Sequence, residues 1–280
     1  MEVYLNGKFV PYEQAVVSVE DRGFVFADGI YEVVRIYHGK PFLWQEHMDR
    51  LRRSAQAIRL KLPAMEELTQ AGFETMRRSQ LDDATLYIQI TRGAAPRLHS
   101  FPVGVEPTVF MIARPYHRPA ATMVQKGIAC ITVPDLRWHK CSIKTVGLLL
   151  NVIAKQEAED AGADDAVFVR DDVITEGTSS NFFMVKDGTL ITHPADDFIL
   201  RGITRDFVIE LAEEMGIPVR EEYITRDALS QSDEAFLTST GVEVLPVTVI
   251  DGQKVGSGRP GPVTMRLWER FDQVVAESVE

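Results

Sequence analysis

The stretch Arg137-Trp-His-Lys-Cys-Ser-Ile-Lys-Thr-Val-Gly-Leu-Leu-Leu-Asn-Val-Ile-Ala-Lys-Gln156 is the most informative part of this 280-residue chain. Lys144 follows a short polar segment and precedes the apolar run Leu148-Leu149-Leu150. A lysine held against apolar surroundings loses solvation of its charged form, so its pKa falls and its amine becomes a usable nucleophile. That is what Schiff-base chemistry with an aldehyde requires. The ordinary alternative is a surface lysine just ahead of a helix, and Lys144 alone does not separate the two. Its companions elsewhere in the chain do.

Bulk properties narrow the field. The chain is 45% hydrophobic and 25% charged, which fits one large domain or two modest ones. Its formal net charge of -11 makes it a poor ligand for nucleic acid or anionic membrane. The two cysteines, Cys130 and Cys141, are too few for a secreted disulfide scaffold. Met-Glu-Val-Tyr-Leu-Asn-Gly at the start lacks the basic and apolar regions of a signal peptide. No apolar run is long enough to span a bilayer. The expected setting is reducing and cytoplasmic, and no metal site is expected.

Residues 3–10 read as a hairpin around Asn6-Gly7. A second strand pair is expected at 30–38 and 41–44. Met48, Leu51, Ala55 and Ile58 have helical spacing within 45–60, and a further helix is expected at 65–80. Strands are expected at 84–91 and 107–113. Arg114-Pro-Tyr-His-Arg-Pro-Ala resists both helix and central strand and reads as a linker. Beyond it come strands at 127–133, 165–170, 173–176, 181–185, 189–192, 235–238 and 247–250. Helices are expected at 147–161, at 204–215 and from Pro262 onward. The order suggests a small α/β domain over 1–116, a linker at 117–121, and a larger domain over 122–280. The fold class is α+β or α/β with two lobes, and a site between them is the common arrangement.

Several segments carry candidate chemistry. Glu176, in Thr175-Glu176-Gly177-Thr178-Ser179-Ser180-Asn181, ends an expected strand. A carboxylate there could hold a pyridine nitrogen protonated, or it could be an exposed turn residue. In Arg201-Gly202-Ile203-Thr204-Arg205-Asp206, Gly202 allows close backbone approach and Thr204 is a good N-cap. The free N–H groups of such a helix start bind phosphate, although simple capping accounts for the same residues. Thr238-Ser239-Thr240-Gly241 is a second hydroxyl-rich turn that could add phosphate contacts or merely end a strand. Arg50 could pair with a phosphate or lie on a solvated helix face. Arg97 and His99 are one residue apart, so an extended chain would put both on one face as a carboxylate trap. The alternative is an exposed loop. Tyr31 alternates with Val33 and Arg35 on a strand, as core or as hydrogen-bond donor to a substrate.

Together these segments resemble the fold-type IV pyridoxal phosphate enzymes, and within them the bacterial D-amino acid transaminases. The resemblance spans nearly the whole chain. It includes Asp21-Arg22-Gly23, Asp28-Gly29-Ile30-Tyr31-Glu32, Glu46-His47-Met48-Asp49-Arg50-Leu51, Thr91-Arg92-Gly93, Arg97-Leu98-His99 and Ile143-Lys144. It continues through Thr175-Glu176-Gly177, Ser179-Ser180-Asn181, Gly202-Ile203-Thr204-Arg205 and Thr238-Ser239-Thr240. The Arg-x-His element points to the D-amino acid branch. The resemblance implies a homodimer that binds pyridoxal 5'-phosphate and moves an amino group between a D-amino acid and a 2-oxo acid. It implies that Lys144 forms the Schiff base and carries the proton. Glu176 would face the pyridine nitrogen. Arg50, Gly202, Ile203, Thr204, Ser239 and Thr240 would hold the phosphate. Ser179 and Ser180 would support the cofactor, and Leu200 would pack on its ring. Tyr31, Arg97 and His99 would bind the substrate carboxylate, with His99 reaching toward the neighbouring subunit. Thr178 stands where serine is usual, and Gly241-Val242 replaces small polar residues that border the substrate side chain.

Three rival readings share parts of this pattern. A branched-chain L-aminotransferase would not need Arg97 and His99 together. A 4-amino-4-deoxychorismate lyase shares the lysine and phosphate elements. A non-catalytic dimer that binds the cofactor would have no use for Lys144, Glu176 and the carboxylate trap at once.

Overall fold

The computed structural model describes residues 1–279. The chain separates into two compact units. One comprises Met1–His117 and Ile143–Leu148, the other Arg118–Ser142 and Leu149–Ser278. The expected linker at 117–121 straddles this division. The return of 143–148 to the first unit has no counterpart in the sequence reading.

The first unit is built on strands β1 (Glu2–Leu5), β2 (Lys8–Pro11), β3 (Gly29–Tyr37), β4 (Lys40–Pro41), β5 (Ala84–Thr91) and β6 (Thr108–Pro115). They form one antiparallel sheet in the order β2-β1-β6-β5-β3-β4. Asn6 and Gly7 both take positive φ, 49° and 85°, the conformation a two-residue hairpin turn demands. Along β5, Ala84, Leu86, Ile88 and Ile90 are buried and alternate with half-exposed residues. That period of two gives the sheet one apolar face. A short helix α1 (Arg22–Phe26) precedes β3, and two longer helices, α2 (Trp44–Ala57) and α3 (Met65–Ser79), follow β4. Met48, Leu51 and Ala55 of α2 enter the core with Leu68, Ala71 and Met76 of α3. Ile58, expected inside the helix, is its C-cap.

The buried face of α2 also carries His47, Arg50 and Ser54. Arg50 is therefore not on a solvated face. Its Nε and Nη2 donate to the two oxygens of Glu32 on β3, at 2.7 and 2.8 Å. His47 Nδ1 lies 2.8 Å from Glu32 Oε2. A carboxylate only accepts, so Nδ1 carries the proton. Burial pushes the Glu32 carboxyl up, but Arg50 and His47 more than offset this and hold it well below the usual carboxylate range.

The second unit adds α4 (Ala121–Lys126), β7 (Ile128–Pro134), α5 (Leu149–Asp160), β8 (Asp165–Arg170), β9 (Val173–Gly177), β10 (Asn181–Lys186) and β11 (Thr189–Thr192). It continues with α6 (Ile203–Glu214), β12 (Val219–Glu221), β13 (Ile224–Thr225), α7 (Arg226–Ser230), β14 (Glu234–Ser239), β15 (Glu243–Ile250), β16 (Gln253–Lys254) and α8 (Pro262–Val279). The strands run β12-β11-β10-β14-β15-β7-β8-β9-β13, with β16 beside β15. One further pairing, β9 with β10, closes six of them into a barrel. The register pair that makes this closure is Glu176 with Asn181. The sequence reading missed α1, α4, α7, β12, β13 and β16, all six residues or shorter, because so few residues show no period.

Replacing Glu32 by Gln leaves a buried guanidinium without its counter-charge, which costs about 3–5 kcal/mol. Urea unfolding at neutral pH reads that loss as a lower midpoint. Because the folded-state pKa is depressed, the stabilisation is complete above the unfolded carboxylate pKa of about 4.3 and disappears as pH falls through the folded value. The gap between wild type and Glu32→Gln narrows in acid. A gap constant from neutral pH down to about pH 3 contradicts the assignment.

Candidate functional site

Lys144 owes its place to an edge of the first sheet. On its far side, β4 covers only Ile36 and Tyr37 of β3. The start of β3 is left open there, and residues 144–146 fill it. Tyr31 N–H donates to the Lys144 carbonyl at 3.0 Å, and Val146 N–H to the Gly29 carbonyl at 3.1 Å. Ile30 and Thr145 form the bridge between them. Ser54 Oγ accepts from the Lys144 N–H at 3.2 Å, and the preceding Ile143 is buried in the core. The ammonium nitrogen lies 4.3 Å from the centre of the Tyr31 ring. The Tyr31 ring lies 5.7 Å from that of Tyr87, whose hydroxyl burial pushes up to about 12. The surroundings of Lys144 are therefore aromatic. Of the apolar run that follows it, Leu149 and Leu150 open α5 instead, with Leu149 71% exposed.

Arg97 and His99 lie on an irregular loop that follows β5 in the same unit, not on an extended strand. They nevertheless converge on one ring. The Arg97 guanidinium is 5.0 Å and the His99 ring 5.5 Å from the centre of Phe26, on α1. Arg22 packs on the same ring at 4.8 Å. Cations favour the negative face of an aromatic ring, so Phe26 gathers the two guanidinium groups without neutralising them. The convergence is thus made by a residue the sequence reading did not single out.

In the second unit, Glu176 is 6% exposed and both its oxygens are engaged. Oε1 accepts from Arg137 Nη1 at 2.5 Å. Oε2 accepts from the Leu200 N–H at 3.0 Å and from Asn181 Nδ2 at 3.2 Å. Burial pushes this carboxyl above its ordinary value, against the pull of Arg137. Arg137 is in turn gripped by Asp135 through Nε and Nη2, both at 2.9 Å. Arg170 and Thr175 add further bonds to Asp135. Arg137 and Asp135 carry no motif of their own and went unassigned, although Arg137 opens the stretch quoted first.

Asn181 ties Glu176 to the start of α6. Its Nδ2 also donates to the Leu200 carbonyl at 2.8 Å, and a Cβ on Gly202 would lie 2.1 Å from its Oδ1. Only glycine fits there. Gly202 is the N-cap and accepts no side-chain bond on behalf of the first turn. This corrects the expectation that Thr204 caps the helix. Gly202 is extended, the helix begins at Ile203, and Thr204 lies inside its first turn, buried. The N–H groups of that turn are left without a side-chain cap, as an anion site requires.

The remaining hydroxyls divide. Ser179 is exposed. Ser180 Oγ and Thr238 Oγ1 are buried with no hydrogen-bond partner. Thr238 pairs in register with Asn181, so Glu176, Asn181 and Thr238 lie in one row across β9, β10 and β14. Ser239 Oγ accepts from the N–H groups of Gly241 and Val242, at 3.3 and 3.2 Å. It shapes the turn that carries Thr240. Leu200 meets Glu176 through its main chain. Among the described residues no cluster of side chains suits a metal ion.

The donor set on each unit fits pyridoxal 5'-phosphate. One offers an amine beside an aromatic ring. The other offers a buried carboxylate, an uncapped helix start, and two buried hydroxyls with unfilled bonding capacity.

The amino-transferase class IV family pattern matches residues 29–250. D-Alanine aminotransferase of Bacillus licheniformis is 45% identical over 268 residues, 95% of this chain and 94% of that protein. The Staphylococcus haemolyticus D-alanine aminotransferase is 44% identical over 276 residues, 98% of each. Among solved structures, the branched-chain amino acid aminotransferase from Escherichia coli superposes with a TM-score of 0.90 at 31% identity, covering 100% of this chain and 95% of that one. A second branched-chain aminotransferase, from the archaeon Thermoproteus uzoniensis, gives 0.89 at 31% identity, with 100% and 96% covered. With the pattern spanning most of the chain and full-length relatives above 40% identity, the protein belongs to the class IV aminotransferases.

Proposed function

We propose that this protein is a pyridoxal 5'-phosphate-dependent transaminase that exchanges an amino group between a D-amino acid and a 2-oxo acid, with D-alanine and 2-oxoglutarate as the reference pair. The observation that carries this is the end-to-end identity of 44–45% to D-alanine aminotransferases. Identity to the two branched-chain structures is 31%, although their folds match closely. The clustering of Arg97 and His99 on Phe26 supports the D-branch, because two donors in one place suit a carboxylate.

The bound cofactor supplies the aldehyde for the amine and a ring that accepts the electron pair released when the Cα–H bond breaks. Lys144 is the amine and the proton carrier. Its main chain is pinned at Tyr31 and Ser54, so its amine would move by side-chain rotation between accepting and donating positions. Tyr31 lies under the ammonium and lines the substrate side. Glu176 is the partner for a protonated ring nitrogen, and Arg137 supplies the positive charge that favours its ionised form at such depth. Gly202, Ile203, Thr204, Thr240 and the turn set by Ser239 suit the phosphate, with Arg50 as its cation and Glu32 holding that arginine in place. Ser179 and Ser180 would support the cofactor, and Leu200 would flank its ring. Arg97 and His99 fix the substrate carboxylate. With that group anchored and Cα–H directed at Lys144, one enantiomer presents its hydrogen and the other does not.

The same reading makes the protein a cytoplasmic homodimer. Both cysteines are free and buried, as a reducing compartment allows. Phe24, Leu98 and Val103, the last 99% exposed, are apolar surface that a second copy would cover.

D-Alanine with 2-oxoglutarate is expected to turn over, and L-leucine with 2-oxoglutarate is not. Turnover of L-leucine alone reverses the conclusion in favour of a branched-chain enzyme. Lys144→Ala is expected to abolish transamination and the borohydride-trappable adduct. A retained wild-type rate would show that another group does the chemistry. Arg97→Ala is expected to raise KM for D-alanine by the loss of a charge-assisted contact, about 1.5–3 kcal/mol or roughly tenfold to 150-fold. Steady-state kinetics check this, and an unchanged KM places the carboxylate elsewhere.

A further inference from the structure

The loop that carries Arg97 and His99 has no secondary structure, yet the Arg22 side chain holds its backbone at two carbonyls. Arg22 Nη1 donates to the Leu98 carbonyl at 2.6 Å and to the Ser100 carbonyl at 3.4 Å. Arg22 is 3% exposed. Its Nε donates to Asp28 Oδ2 at 2.8 Å. Asp28 also binds Arg92, through Nε at 2.8 Å and Nη2 at 2.9 Å. Arg92 in turn donates to the carbonyls of Ile58 and Arg59 at the end of α2, and it packs on Phe101 at 3.7 Å. One carboxylate therefore anchors two arginines, and these grip the loop on either side of His99. The preceding triplet fits this arrangement. Asp21 accepts from Thr91 Oγ1 and Thr108 Oγ1 and caps α1 at Gly23. A Cβ on Gly23 would meet Thr91 Cγ2 at 2.3 Å, so glycine there lets α1 pack closely on the end of β5. Burial pushes the Asp28 carboxyl up, but the hydrogen bonds from Arg92 and Arg22 outweigh it and keep the carboxyl below its ordinary range.

We propose that Asp28 and Arg22 are positioning residues for substrate binding: by gripping the Leu98 and Ser100 carbonyls they set where Arg97 and His99 present themselves to the carboxylate. The proposal rests on the D-amino acid reading. Neither residue touches the reacting atoms. Positioning matters because a displacement of about 1 Å far from the chemistry can cost on the order of a hundredfold. Arg22 also cannot be replaced by lysine without loss, since one ammonium cannot bond to Asp28 and to two carbonyls in the same fork geometry.

The test uses the holoenzymes of Asp28→Asn, Arg22→Lys and, as a control, Arg97→Ala. Expected for the first two is a KM for D-alanine raised about tenfold or more with kcat little changed, the pattern of lost uniform binding. Amide exchange in the peptide covering 95–103 becomes faster, while the visible absorption of the bound cofactor stays as in wild type. Unchanged exchange with unchanged KM overturns the proposal, and so does faster exchange with unchanged KM. Arg97→Ala separates the two layers. It is expected to raise KM without altering exchange in 95–103, and an unchanged KM there sinks the carboxylate reading itself. A global loss of fold in Asp28→Asn would appear as faster exchange across all peptides, and Arg22→Lys, which keeps the charge, then decides the matter alone.

Discussion

Two backbone hydrogen bonds hold residues 144–146 against the open end of β3, and the proposed chemistry depends on them. A lysine on a free loop would sample too much space to transfer a proton along one line. Here the chain leaves the second unit, completes a strand edge in the first, and returns at Leu149. Strand pairing supplies direction as well as attachment, since an edge pair fixes which way each side chain points. It brings the Lys144 side chain over Tyr31 and its amide onto Ser54. It also explains why a six-residue segment belongs to a unit distant in sequence.

Four carboxylates around the candidate site share one pattern. Glu32, Glu176, Asp28 and Asp135 each meet an arginine, and every one of these arginines bonds through more than one nitrogen. Desolvation opposes ionising such carboxylates, and a bidentate guanidinium is the strongest single compensation available. The outcomes differ in sign. Glu32 and Asp28 are held below the ordinary range, whereas Glu176 is pushed above it. A carboxylate with a partial demand for positive charge suits a ring nitrogen. The others are structural anchors for loops and helices that carry the site.

Much of the fold was legible because long elements repeat their apolar residues at a clear period. The alternation along 84–91 and the helical spacing at 48, 51 and 55 match the observed elements. Of the candidate site, Lys144, Glu176 and the glycine of 202 were visible as residue types suited to the chemistry. Their supports were not. Arg137, Asp135, Asn181 as a clamp, Ser54 and Phe26 act through contacts between segments far apart in sequence, and no spacing encodes such contacts. The helix start at 202 shows the limit. Thr204 has the better capping side chain, yet the close packing of Gly202 on Asn181 moves the helix start and leaves the first turn open.

The sequence by itself determined the class of elements, the positions of the main turns and the residue types available for catalysis, because backbone propensity and hydrophobic period act locally. Only the tertiary structure decided that Lys144 joins the first unit, that Arg97 and His99 meet on Phe26 and that Glu176 faces Arg137. Each depends on a hydrogen bond or ring contact whose partner is chosen by packing, and packing is a property of the whole chain.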